Sequence, residues 1–180
     1  MLLLTDDEGA MAVRSARSAI EYVVAKRPKA SLNLTPVFSE KRGVFVTLTK
    51  NSSLRGCIGF PYPVMPLGEA IVHAAGAAAL EDPRFPPVTK DELTAVSLEV
   101  TILTVPEPVE GEPAKRPDQV IVGKHGVIIR GMGTSGLLLP QVATEYGWDA
   151  KTFLDHTCMK AGLSGHCWRD FVSQLRPSCK

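Results

Sequence analysis

The 180-residue chain lacks an excess of charge: 20 Lys and Arg stand against 19 Asp and Glu, a formal net charge of +1. The halves conceal none, with 11 basic against 8 acidic side chains in residues 1–90 and 9 against 11 in residues 91–180. A protein that grips a nucleic-acid backbone carries a basic excess, so nucleic acid is not an expected partner. A long apolar run is also missing. Met1-Leu2-Leu3-Leu4 is followed at once by Asp6, Asp7 and Glu8, where a secretory leader needs a basic start and an apolar stretch of about 7–15 residues. Ala70 to Leu80 contains His73 and falls short of the ~20 residues that span a bilayer. No membrane segment is expected, and the expected location is the cytoplasm. There are only four cysteines. In that compartment they are expected as reduced thiols, each otherwise a small buried hydrophobe. Repeats and low-complexity segments are absent.

What is present is a folding sequence. With 44% hydrophobic and 22% charged residues, the chain lies far from the disordered class. A fold of this length buries roughly 70% of the unfolded surface, so residues 1–180 are expected to form one domain, with two lobes. Thr5 to Glu8 reads as a capping box, predicting a helix with Ala12, Ala16, Ala19, Ile20, Val23 and Val24 inward, Arg14, Arg17 and Glu21 outward, and Pro28 as its stop. Gly43 to Lys50 alternates as a strand, with residues 54–60 continuing or pairing with it. Leu67 to Leu80 predicts an Ala-rich helix and Ala95 to Val105 a further strand. The prolines of residues 106–118 predict a long surface connection, a seam between lobes. Val120 to Val122 and Val127 to Arg130 read as short strands, followed by a turn at Gly131, Gly133 and Gly136. Pro140 opens a short helix, and Asp149 or Ala150 begins another that closes at Gly162. Trp168 to Leu175 suits strand or helix. The interleaving predicts an α+β fold with a mixed, largely antiparallel sheet, packed helices, and a larger and a smaller lobe with a cleft between them.

The densest unusual segment is Leu54-Arg55-Gly56-Cys57-Ile58-Gly59. Glycines permit close backbone approach. A guanidinium near Cys57 favours its thiolate, the reactive form, and Arg55 has the fork that grips a carboxylate or phosphate. The plainer alternative is a tight strand turn with a buried cysteine and a solvated arginine.

That hexapeptide resembles the hallmark of the AMMECR family. Asp82-Pro83-Arg84-Phe85-Pro86-Pro87 is similar to the family's Asp-x-Arg-Phe-x-Pro segment. Ser97 to Thr104, Gly126 to Ile129, Gly136 to Ala143, Gly147-Trp148-Asp149, Cys158 to Leu163 and Trp168 follow in the family's order. The resemblance implies an α+β fold with two lobes, the hexapeptide beside a cleft, and Memo-type or radical-SAM proteins as partners. It implies no settled activity. The chain itself lacks the Cys-x-x-x-Cys-x-x-Cys pattern of a radical-SAM protein.

Other constellations are thinner. His156, Cys158, His166 and Cys167 have poor spacing for zinc, and no metal and no cofactor is expected. Gly131-x-Gly133-x-x-Gly136 fits a dinucleotide fingerprint, but Pro140 falls inside the helix that should follow, so turn glycines are the better reading. His73, taken as half-buried, and His125, taken as an exposed turn residue, are the candidate bases for Cys57. Glu99 is either exposed or a partner of Arg55 or Arg84. The expected function is a binding module. Its ligand or partner cleft is formed by Leu54, Arg55, Gly56, Cys57, Ile58, Gly59, Asp82, Arg84, Phe85, Glu99, Pro140 and Gln141, and takes a small anionic ligand or a partner's peptide. The alternative is an enzyme with Cys57 as nucleophile or redox thiol. A remote third is an RNA binder using Lys26-Arg27-Pro28-Lys29 and Lys41-Arg42.

Overall fold

The computed structural model describes residues 4–28, 30–31, 33–170 and 173–179, the last stretch as backbone only. The chain forms two compact units, Met1–Leu103 with the last two residues, and Thr104–Ser178. Helices and antiparallel strand ladders occur in both, so the fold is α+β.

In the first unit, α1 (Asp6–Ala25) starts from the Thr5 capping box, in which Glu8 returns a carboxylate to the Thr5 N–H at 2.9 Å. It ends before Pro28, at Lys26 in the left-handed conformation. Arg17 does not face outward. It is half-buried and donates to the carbonyls of Leu93 and Val96. Strands β1 (Gly43–Lys50) and β2 (Ser53–Phe60) form a hairpin. Its two turn residues, Asn51 and Ser52, both have positive φ (51° and 63°), the turn handedness that matches strand twist. β3 (Val96–Leu103) pairs antiparallel with the other edge of β1.

Alternation gives this sheet two unlike faces. Val44, Val46 and Leu48 of β1 and Val96, Val100 and Ile102 of β3 are buried in one core with α1 and α2 (Leu67–Leu80). The small side chains Ala70, Ala74, Ala75 and Ala78 let α2 lie close on the strands. Gly56 allows the same approach from β2: a Cβ there would stand 2.2 Å from the carbonyl oxygen of Ala78. Phe45, Thr47 and Thr49 turn to the opposite face and are half-buried.

In the second unit, β4 (Glu107–Pro108), β5 (His125–Gly131), β6 (Thr134–Leu138) and β7 (Ser173–Cys179) form an antiparallel sheet in the order β4-β7-β5-β6. The proline-rich stretch is not a bare connection. It holds β4, a short 3₁₀ turn at Pro113–Lys115 and α3 (Arg116–Gln119). Val120 to Val122 is a turn and not a strand, because the Lys124 and His125 N–H groups both fold back to the Ile121 carbonyl. α4 (Pro140–Glu145) and α5 (Ala150–Lys160) follow, the latter capped by Asp149. Phe153, Leu154 and Trp168 fill a core with Val127 and Ile129. Trp168 sits in a 3₁₀ turn, and of the C-terminal stretch left open as strand or helix, β7 begins at Ser173. Residues 171–172 lie outside the described residues.

Candidate functional site

β2 carries the hexapeptide, and strand alternation sorts its side chains. Gly56 and Ile58 turn to the helices, so Cys57 turns to the other face, where it is half-exposed. Thr47 is its neighbour on β1, and the Thr47 hydroxyl donates to Cys57 Sγ at 3.3 Å. Glu99 is the next residue across, on β3 opposite Thr47. Cys57, Thr47 and Glu99 thus form a row across three strands, its ends about 10 Å apart. Glu99 is exposed and accepts a hydrogen bond from the Thr101 hydroxyl at 3.1 Å. Gly59 leaves room for Phe45 on the same face; a Cβ there would stand 2.5 Å from the ring.

The loop after α2 fixes this strand from both sides. The buried carboxylate of Asp82 accepts the Cys57 N–H at 2.8 Å. It also takes the Arg84 N–H, Nε and Nη2, at 3.1, 3.0 and 2.7 Å. Arg84 Nη2 in turn donates to the Cys57 carbonyl at 3.3 Å. Both ends of the Cys57 residue are therefore held by one Asp–Arg clasp. The Arg84 guanidinium holds the Asp82 carboxyl well below the usual carboxylate range, against an opposing effect of burial. The Arg84 side chain remains 54% exposed and lies over the Phe85 ring at 5.5 Å.

Arg55 corrects an expectation. Its guanidinium does not wait for an anion. Nε and Nη2 donate to the two Glu92 oxygens at 3.2 and 3.0 Å, and Nη1 and Nη2 donate to the Pro86 and Pro87 carbonyls at 2.8 and 3.3 Å. At 12% side-chain exposure it is an internal brace. Lys50 Nζ joins Glu92 at 2.9 Å, and Arg55 first, then Lys50 and the Thr89 N–H, hold the Glu92 carboxyl below its ordinary range. Neither arginine takes Glu99 as the partner proposed for it: Arg55 pairs with Glu92 and Arg84 with Asp82. Glu92 and Thr47 are the site residues that sequence reasoning missed. Glu92 had a signal, the Thr89-x-x-Glu92 capping box, which the structure forms.

The AMMECR1 family model matches residues 13–176. The chain belongs to the AMMECR1 family. A protein of Methanosarcina mazei is 53% identical over 171 residues, covering 92% of this chain and 86% of that protein. One from Methanothermobacter thermautotrophicus is 52% identical over 170 residues, covering 93% and 88%. The crystal structure of an uncharacterized protein from Pyrococcus horikoshii, PH0010, superposes with a TM-score of 0.88 at 43% identity, covering 97% of this chain and 91% of that one.

Within this AMMECR1 chain, the remaining candidates lie on β2, α4, α2 and β5. Leu54 is exposed on β2. Pro140, buried, and Gln141, half-buried, belong to α4 in the second unit. His73 is exposed rather than half-buried, and it sits on α2, the helix behind the sheet, so it does not reach Cys57. His125 is half-buried rather than exposed. It opens β5, its Nδ1 accepts the Ile121 N–H, and burial lowers its pKa.

The cysteine expectation also fails. Cys158 and Cys167 form a disulfide with Cα atoms 5.8 Å apart, joining the end of α5 to the Trp168 turn. The neighbouring histidines are engaged too. His156 stacks on Trp148 at 3.8 Å, and His166 Nδ1 meets Asp155 at 2.7 Å. Gly133 is a hairpin turn residue, and Gly136 admits α5, since a Cβ would stand 2.6 Å from the Thr157 carbonyl. Gly133 fits the turn reading, whereas Gly131 ends β5 and Gly136 lies within β6, so the three glycines do not all mark the turn. Of the basic clusters, Arg42 is buried and bonded to Glu40 at 2.6 Å, so Lys41-Arg42 is not a solvated basic pair. Lys29 lies outside the described residues.

Proposed function

We propose that this AMMECR1 chain is a binding module whose recognition surface is the face of the β2-β1-β3 sheet turned away from α1 and α2. One observation carries the reading: the Asp82–Arg84 clasp holds both backbone groups of Cys57 while the Arg84 side chain stays 54% exposed. That arrangement fixes the strand and presents a positive fork beside a row of small polar side chains. The anionic group of a ligand or partner peptide meets Arg84, a role expected of Arg55 before the brace to Glu92 was seen. The partner class is the Memo-type or radical-SAM protein that the family resemblance implies. Amide hydrogen exchange of the chain with a Memo-type or radical-SAM protein from the same genome tests this. Slowed exchange across Phe45–Thr49, Cys57–Gly59 and Ser97–Thr101 is expected. Protection confined to other segments, or none with either protein, contradicts it.

The second reading, a cysteine enzyme, draws on the half-exposed Cys57 thiol. Its difficulty is the missing base. The Sγ partner is a hydroxyl, and the one histidine of residues 1–103, His73, lies behind the sheet. A nucleophilic thiol needs an adjacent base or a lowered pKa. Iodoacetamide at pH 7 should therefore modify Cys57 no faster than a free thiol. Markedly faster modification would favour the enzyme.

A further inference from the structure

On the helix side of the first unit, remote from the Cys57 face, a cavity of about 720 Å³ opens between the 3₁₀ turn at Pro36–Ser39 and the first turns of α2. Its volume is that of a small-molecule site. Leu34, Phe38 and Val72 give it an apolar floor, and Glu69 and His73 stand one turn apart on its α2 wall. A second space of about 260 Å³ shares Val72 and His73 with the first and runs along α2 to Glu81. The two spaces adjoin through Val72 and His73, with Glu69 in the lining of the first and Glu81 in that of the second. Glu69 and Glu81 lie twelve residues apart on the helix and its cap, about 18 Å along the axis.

The carboxylates of the two linings are Glu69 and Glu81, beside His73 and the Ser39 and Tyr22 hydroxyls. Among the described residues no Lys or Arg lines either space. Among the described residues neither Glu69 nor Glu81 takes part in an ion pair. The Thr35 hydroxyl, also in the lining, gives its proton to Glu8 at 2.7 Å, so it offers the groove only lone pairs. Two carboxylates outside any ion pair, with Phe38, Val72 and His73 between them and no Lys or Arg among the described lining residues, call for a ligand with cationic ends and apolar segments.

We propose that this groove binds a linear polyamine, with methylene segments over Phe38 and Val72 and one terminal ammonium at each of Glu69 and Glu81. The proposal is independent of the function assigned to the Cys57 face, because it uses none of those residues.

Titration of the ¹⁵N-labelled full chain with spermine tests it, with 1,4-diaminobutane as the diamine too short to reach both ends. Saturable amide shifts are expected for spermine at both Gly68–His73 and Ala77–Glu81. The short diamine should bind at least about threefold more weakly. Glu69→Gln and Glu81→Gln should each weaken spermine about 1.5- to fivefold, the range of an exposed ion pair. Both substitutions are at exposed positions, where folding is retained. The proposal is overturned if spermine shifts other regions instead, if the two amines bind equally, or if both variants bind spermine as the wild type does.

Discussion

The Cys57 N–H points at Asp82 Oδ2 from 2.8 Å, and the carbonyl of the same residue receives Arg84 Nη2 at 3.3 Å. The residue most open to a chemical reading is thus the one whose backbone is most closely held. That restraint makes sense for a surface that must keep its shape. Phe85 of the same short loop places its ring under the Arg84 guanidinium.

Arg55 should behave as a stability residue. Arg55→Ala removes four hydrogen bonds and leaves a mostly buried Glu92 with Lys50 as its remaining cation. A loss of about 2–3 kcal/mol is expected, the scale of charged hydrogen bonds. Arg55→Lys should recover little, since an ammonium cannot reproduce the fork. Urea unfolding checks both through the midpoint at unchanged slope.

Acid should destabilise the first unit through the same two carboxylates. Asp82 and Glu92 both titrate below their ordinary values of 3.8 and 4.5 when folded. A depressed folded value means the ionised form supports the fold. That support is complete above the unfolded values and is lost as pH falls through and below them. Unfolding free energy should therefore be flat from pH 8 to about 6 and fall below about 5, with a shallower fall in Glu92→Gln. Denaturant titrations at a series of pH values measure it. An unaltered slope in that variant would exclude Glu92 as a source.

Two glycines should respond in opposite senses. Gly56→Ala drives a methyl into the Ala78 carbonyl, a backbone atom that cannot swing aside. A cost of about 3 kcal/mol or more is expected. Gly9 lies within α1 with nothing inside 4 Å of its added Cβ, and Gly9→Ala should stabilise by about 0.5–1 kcal/mol. Thermal melting of the pair distinguishes a packing glycine from a dispensable one.

Reduction should weaken the second unit. The Cys158–Cys167 bond closes a loop of nine residues' separation, worth about 2–3 kcal/mol by loop entropy. Dithiothreitol should lower the melting temperature of the wild type and leave a Cys158→Ala/Cys167→Ala variant unmoved. A wild type indifferent to reductant would mean the bond contributes nothing to stability.

The sequence made the local features legible and hid the long-range ones. The Thr5–Glu8 box, the β1–β2 pairing and the Asp149 cap are decided within a few residues, and each is found in the structure. The partner of Arg55 is 37 residues away, and only the fold selects Glu92 over Glu99. The disulfide was hidden for another reason. Cys158 ends a helix and Cys167 opens a turn, and spacing alone does not say that the chain doubles back between them. His73 was misjudged because an alanine-rich helix shows little contrast between its covered and open sides. Small side chains bury well but mark no boundary.

On the proposed reading the Cys57 face binds through Arg84 and the flat polar surface, without thiol chemistry. The most direct measurement is the affinity of a Memo-type protein from the same genome for four chains: wild type, Cys57→Ser, Arg84→Lys and Ser97→Arg. Ser97 is exposed on this face, so its replacement by arginine obstructs docking with little effect on folding. Arg84→Lys and Ser97→Arg should each weaken binding about tenfold or more, while Cys57→Ser stays within about twofold. Loss of binding in Cys57→Ser, with Arg84→Lys and Ser97→Arg binding as the wild type does, would contradict the account.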